Sequence, residues 1–167
     1  MRIDREFLEF YEREFGPVHR TVYLLCRNTD IAEEAAQEAF VRALERWGRL
    51  GNQPWVGGWV TTTAMNLARR ALRRRPPVPA DDSGDGSSAD AALDAVHLWR
   101  SVSRLPLRQQ QALVLHYRLG FPTADVAAAM RCGESAVRGY LTRARTALRA
   151  SFSEEDLDGA RPNRHTP

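Results

Sequence analysis

"TADVAAAMRCGESAVRGYLTRARTALR" (123–149) is the stretch on which the reading of the chain turns. Thr123–Met130 makes a short apolar helix, with Thr123 placed to cap it. "RCG" (131–133) then turns the chain, and a longer helix is expected from Glu134 to about Ser151. Wound at about 100° per residue, Val137, Leu141, Ala144 and Leu148 fall on one stripe, the spacing of a core-facing side. Arg138, Arg145 and Arg149, with Thr142 among them, share a neighbouring face. Between Cys132 and Arg149 a single acid, Glu134, stands against four arginines. A short helix, a tight turn and a longer helix make a helix-turn-helix, whose second helix enters the major groove and touches base edges near its start. Ser135 and Arg138 are placed for bases, Arg145 and Arg149 for phosphates. Spacing alone leaves two other readings open, an operator-binding regulator and a helical adaptor that never touches DNA.

Composition narrows the class. At 167 residues and 43% hydrophobic content the chain can build one domain or two small ones. The formal charge of +3 is modest, but it is segregated. Residues 51–75 carry five arginines and no acid, and residues 100–150 carry nine arginines against Asp125 and Glu134. Residues 81–94 carry five aspartates and no base. Segregation of this kind suits a polyanionic partner. Every cation is arginine and none is lysine, which a GC-rich coding bias alone would produce.

Other chemistries find no footing. Cys26 and Cys132 stand far apart, and His19, His97, His116 and His165 show no metal-ligand spacing with them. No Ser/His/Asp set and no phosphate-binding glycine loop is present, so no catalytic residue, metal or cofactor is expected and the protein is not expected to be an enzyme. The charged start "MRIDREFLEF" lacks the apolar run of a signal peptide, and no window reaches the ~18 apolar residues of a membrane span. A soluble cytoplasmic protein with no membrane partner is the expectation.

The rest of the chain reads as helices. Residues 4–28 give a stripe of Phe7, Phe10, Tyr11 and Phe15, then Val18, Val22 and Leu25, with a break expected at Gly16-Pro17. Asp30, with Glu33 three residues on, reads as the capping box of a helix running to about Trp47 and burying Ile31, Ala35, Phe40 or Ala39, and Leu44. "RLGNQP" (49–54) reads as a loop. Helical spacing resumes from Trp55 to Arg75, regular from near Trp59 because Gly57-Gly58 weakens the first turn. Its candidate core residues are Val56, Trp59, Val60, Thr63, Leu67 and Leu72, with Asn66 as a satisfied buried amide and Trp55 against the core. "PPVPADDSGDGSSAD" (76–90) has almost nothing to bury and reads as a flexible acidic linker of up to ~50 Å reach. Helices over 91–103 and 107–119 follow, then a turn at "GFPT" (120–123). The polar tail, from 152 to 167, is expected to be disordered beyond Leu157. No segment alternates as a strand does. The fold class expected is all-α: two small helical domains, 1–75 and 91–151, joined by the linker, with the helix-turn-helix in the second.

Two separate sets of residues resemble one family. "LPLRQQQALVLHYRLGFPTADVAAAMRCGESAVRGYLTRARTALR" (105–149) resembles region four of bacterial sigma factors. The matching places are Leu105-Pro106, Leu113, Leu115, Tyr117, Gly120, Val126-Ala127, Val137, Arg138, Leu141, Arg143, Ala144 and Arg145. "DIAEEAAQEAFVRALERW" (30–47) and "WVTTTAMNLARRALRRR" (59–75) resemble region two. With only these two regions, the chain resembles the short extracytoplasmic-function (ECF) class. It departs from the family pattern at Arg131, where glycine is usual in the turn, at Ala136, usually threonine, and at Arg70, where aspartate is common.

The resemblance implies a factor that binds core RNA polymerase, directs it to a promoter and helps open the duplex. Glu33, Glu34, Gln37 and Glu38 would then face the polymerase, where acid against a basic partner sets docking and register more than affinity. Asn52 and Gln53, in the loop before the second motif, would read an extruded base of the −10 element. Arg69, Arg70, Arg73 and Arg74, continued by Arg75, would hold its phosphates with a steep salt dependence. Ser135, Arg138, Thr142, Arg145 and Arg149 would meet the −35 element. An anti-sigma factor is a further partner that the resemblance allows.

Overall fold

The computed structural model describes residues 4–75 and 89–159. Eight helices account for most of them: α1 (Arg5–Cys26), α2 (Thr29–Glu45), α3 (Trp47–Leu50), α4 (Val56–Arg74), α5 (Ala89–Arg104), α6 (Leu107–Leu113), α7 (Thr123–Met130) and α8 (Glu134–Gly159). Among the described residues there is no strand. Most of the segment read as a linker, 76–88, and the last eight residues of the tail lie outside the described part.

The first cluster is α1, α2 and α4 packed on one another. Its heart is aromatic. Tyr11 meets Phe40 edge-on at 5.0 Å, and Phe7 meets Trp47 edge-on at 5.1 Å, pairs that add about 0.5–1.5 kcal/mol each beyond the area they bury. The break expected at Gly16-Pro17 does not form: α1 runs through Pro17. Pro17 is exposed, so the carbonyl deprived of its partner can turn to water, while Phe10 on one side and Val18 and Val22 on the other are held by the same core. Packing overrides the local breaker.

Two other local expectations move. The cap of α2 is Asn28, whose side-chain oxygen accepts from the Ile31 amide at 2.9 Å, and not Asp30, which lies inside the first turn. Helix α7 begins at Thr123 with Pro122 as its cap residue, and the Thr123 hydroxyl donates instead to a carboxylate oxygen of Glu134 at 3.2 Å. Helix α8 does not stop at Ser151. The residues after it contain neither proline nor glycine until Gly159, where the helix ends.

The second cluster packs α6, α7 and α8 around Val114, Val126, Val137 and Leu141. Helix α6 loosens into a π-helical turn at Val114–Arg118. It is closed by Gly120 at φ 75°, with the Phe121 amide reaching back to the Leu115 carbonyl at 3.0 Å. The turn of the helix-turn-helix is an αL stop of the same type. The Cys132 amide bonds the Ala127 carbonyl at 3.0 Å, and the left-handed residue is Arg131 at φ 54°. A side chain in that conformation costs about 1–2 kcal/mol relative to glycine.

The two clusters do not stand apart. One buried core runs from Phe7 through Leu141. Helix α7 lies against α4 over Gly58, where a Cβ would sit 3.2 Å from Ala129 and 3.4 Å from Leu115, and the Phe121 ring covers both glycines. Here lies the reason that α4 begins at Val56 and not near Trp59. The glycine pair weakens the helix by about 1 kcal/mol per residue, but it admits α7, and that burial outweighs the loss. Two polar contacts cross the same seam: Gln111 donates to the Asn66 carbonyl oxygen at 2.8 Å, and Arg118 donates to the Thr21 hydroxyl at 3.1 Å.

Candidate nucleic-acid interface

Helix α8 presents the cleanest surface. Val137, Leu141 and Ala144 are buried, which turns Ser135, Arg138, Thr142, Arg145 and Arg149 outward together, all five exposed. The Thr142 hydroxyl donates to the Arg138 carbonyl at 2.9 Å, and Arg145 donates to the Tyr117 hydroxyl at 2.6 Å. Tyr117, 54% exposed, thus joins the face from the end of the α6 turn. In sequence Tyr117 is only one of the positions that match the family pattern; the fold is what places it on this face. Glu134 sits 3.5 Å from Arg138, an exposed pair that contributes little to stability and leaves the guanidinium available.

The arginines of α4 do not form one face. Arg69 is half-buried in a cleft beside Cys26, Ser103 and Gln110, on the side of the second cluster. Arg70 and Arg74 line a groove of about 310 Å³ with Glu34, Glu38 and Arg42. The acids read as a polymerase contact and two arginines read as DNA contacts therefore share one groove. All four of Glu33, Glu34, Gln37 and Glu38 are exposed on α2, and all four have partners: Arg42 donates to Glu38 at 2.8 Å, Arg75 to both oxygens of Glu34 at 3.0 and 3.2 Å, and Gln37 to Glu33 at 3.1 Å. Asn52 and Gln53 are at the opposite end of α4, roughly 20 Å of helix from Arg69. Gln53 there lines a hollow with Glu6, Glu9 and Glu14. The structure does not bring the loop pair and the arginines together.

Asn66 is exposed, not buried, and is held by Gln111. Leu72 is also exposed, at 41%, because the end of α4 runs beyond its neighbours. Trp59 is buried, and Trp55 is half-buried against the core. Burial pushes the Cys26 thiol up, so it stays protonated, and its sulfur reaches the Asn28 carbonyl at 3.3 Å. Among the described residues no cluster of His, Cys, Asp and Glu could hold a metal, and no helix is long and apolar enough to cross a membrane.

Comparison with known proteins accounts for this arrangement. Residues 10–76 match the family described as Sigma-70 region 2, and residues 96–148 match Sigma-70, region 4. The ECF RNA polymerase sigma factor EcfG of Rhodopseudomonas palustris is 30% identical over 145 residues, covering 81% of this chain and 77% of its own. The ECF RNA polymerase sigma factor SigM of Mycobacterium tuberculosis is 27% identical over 146 residues, covering 85% and 74%. The sigma factor RpoE of Bartonella quintana, solved in complex with the anti-sigma factor NepR, shares the fold with a TM-score of 0.69 at 18% identity, covering 90% of this chain and 98% of that one. The chain belongs to the ECF RNA polymerase sigma factors, initiation factors without catalytic activity that bring RNA polymerase to promoters, region 2 recognising the −10 element and region 4 the −35 element.

Proposed function

We propose that the division of labour is the following. The region-2 unit spans 1–75 and the region-4 unit 91–151, with 76–90 as linker and 152–167 as tail; the matches to 10–76 and 96–148 support this partition. Ser135 and Arg138 read base edges of the −35 element, while Thr142, Arg145 and Arg149 hold its backbone. Arg70, Arg73 and Arg74 hold −10 phosphates, with Arg69 joining them once region 4 moves away. Asn52 and Gln53 read the extruded base from the far end of α4. Glu33, Glu34, Gln37 and Glu38 meet a basic surface of core polymerase, exchanging the Arg42 and Arg75 pairs for that partner. The protein works in the cytoplasm, where polymerase is. An anti-sigma factor holds it between rounds of use, by analogy with the complex of RpoE and NepR.

The observation that carries this reading is the α8 face, where five side chains singled out for DNA are exposed side by side over a buried stripe. Engaging two separated promoter elements at once requires the Gly58–Ala129 seam to open, so the packed arrangement is the resting form. Run-off transcription with purified core polymerase on a promoter library is the test. Start sites that depend on this chain, and that disappear with Arg138→Ala, are expected. Failure of the chain to associate with core polymerase would overturn the reading.

A further inference from the structure

Where α7 lies over α4, the two clusters enclose a hollow of about 360 Å³, within the ~300–1,000 Å³ range of small-molecule sites. Five guanidiniums line it: Arg42 from α2, Arg46 just beyond it, Arg70 from α4, Arg108 from α6 and Arg131 from the helix-turn-helix turn. No acid is among the lining residues. Arg42 is compensated by Glu38 at 2.8 Å and Arg46 by Glu45 at 3.3 Å. Arg108 bonds only uncharged acceptors, the Met130 carbonyl at 2.9 Å and the Gln111 side chain at 3.4 Å. The Arg70 and Arg131 side chains make no hydrogen bond or ion pair among the described residues. Three of the five arginines therefore have no carboxylate in ion-pair contact, Arg70 standing between this hollow and the groove it shares with Glu34 and Glu38.

Thr62 borders the same hollow, with its hydroxyl out of reach of solvent. Thr61 and Thr63 turn their hydroxyls back to the Gly57 and Trp59 carbonyls, each at 2.8 Å. Thr62, between them and 6% exposed, does not; its hydroxyl is buried with no hydrogen-bond partner. A buried hydroxyl is normally satisfied, and an orphan calls for an explanation. The Trp59 side chain supplies an apolar wall beside it.

We propose that this hollow is a binding site for a nucleoside di- or triphosphate, its phosphates on Arg70, Arg108 and Arg131 and its base along Trp59. The match is one of charge and size: two to four negative charges against three free guanidiniums, which grip phosphates through paired N–H donors. Because the lining comes from both clusters, the ligand bridges α4 to α7 and favours the closed form. The same chemistry could be offered by nucleotides within a single DNA strand, and the test separates the two sources.

Isothermal titration of the full chain, without polymerase, is carried out with ATP, GTP, inorganic pyrophosphate, adenosine and a single-stranded −10 oligonucleotide. One-to-one binding of the triphosphates is expected, weakening as salt rises, with pyrophosphate weaker and adenosine silent. Arg131→Gly suits the left-handed turn and so keeps the fold; it should weaken binding about tenfold, the loss of one charge-assisted contact. Gly58→Leu, which touches no ligand atom but opens the seam, should abolish it. The proposal is overturned if free triphosphates at millimolar concentration do not bind, if Arg131→Gly binds like the unaltered chain, or if only the oligonucleotide binds. Polymerase is absent from the assay, so failure of the triphosphates to bind leaves the proposed promoter recognition untouched.

Discussion

Helix α4 and the part of α8 up to Arg149 both carry unbalanced arginines, yet they expose them differently. On α8 the cations between Arg138 and Arg149 stand over a buried stripe and face outward. On α4 the first turn is covered by α7 and Phe121, and the arginines at the other end are divided, Arg69 half-buried in a cleft and Arg70 and Arg74 exposed in a groove shared with glutamates. The same residue type thus gives one continuous outward face on α8 and a divided set on α4, of which only Arg69 is half-buried against the second cluster.

Leu115→Ala should disturb this contrast most. Leu115 is fully buried and touches both the second core and the Gly58 seam, so a loss of about 2–5 kcal/mol is expected in denaturant unfolding. Gly58→Leu is more selective. Its new side chain meets only atoms of the second cluster, at an overpacking cost of about 1–3 kcal/mol. It should split one unfolding transition into two and raise the radius of gyration in small-angle scattering, while leaving −35 binding unchanged. Unchanged dimensions would mean that α4 is not masked in this way. Arg138→Ala should weaken binding to a −35 duplex by about 1–3 kcal/mol and relax its sequence preference, whereas Arg149→Ala should weaken all duplexes alike and lower the salt slope by about one. Mobility shifts across a salt series distinguish them. Arg131→Gly should raise stability by about 1 kcal/mol through relief of the left-handed strain, read as a small increase in melting temperature.

Local signals made α8 legible from sequence, and distant ones hid the seam. The 3.6-residue stripe and the turn at 131–133 located the helix-turn-helix, because each rests on residues within a few positions of one another. Asn28 and Asp30 are both good caps, and only the docking of Ile31 into the core separates them. Asn66 looked buried because its partner, Gln111, is 45 residues away. Gly57-Gly58 did carry a usable sign. Two glycines at the start of an otherwise well-patterned helix mark either a defect or a close approach, and here it was the approach. The scatter of the −10 set could not be read at all, since helix length separates Gln53 from Arg69 and α2 supplies the acids beside Arg70.

The glycine pair also sets how the molecule comes apart. At the point of closest approach α4 offers bare backbone, so no side chain there has to unlock from a socket before α7 can lift. Such a joint parts by sliding or peeling with both helices intact. Opening proposed for promoter binding would then be repeatable many times without either cluster unravelling.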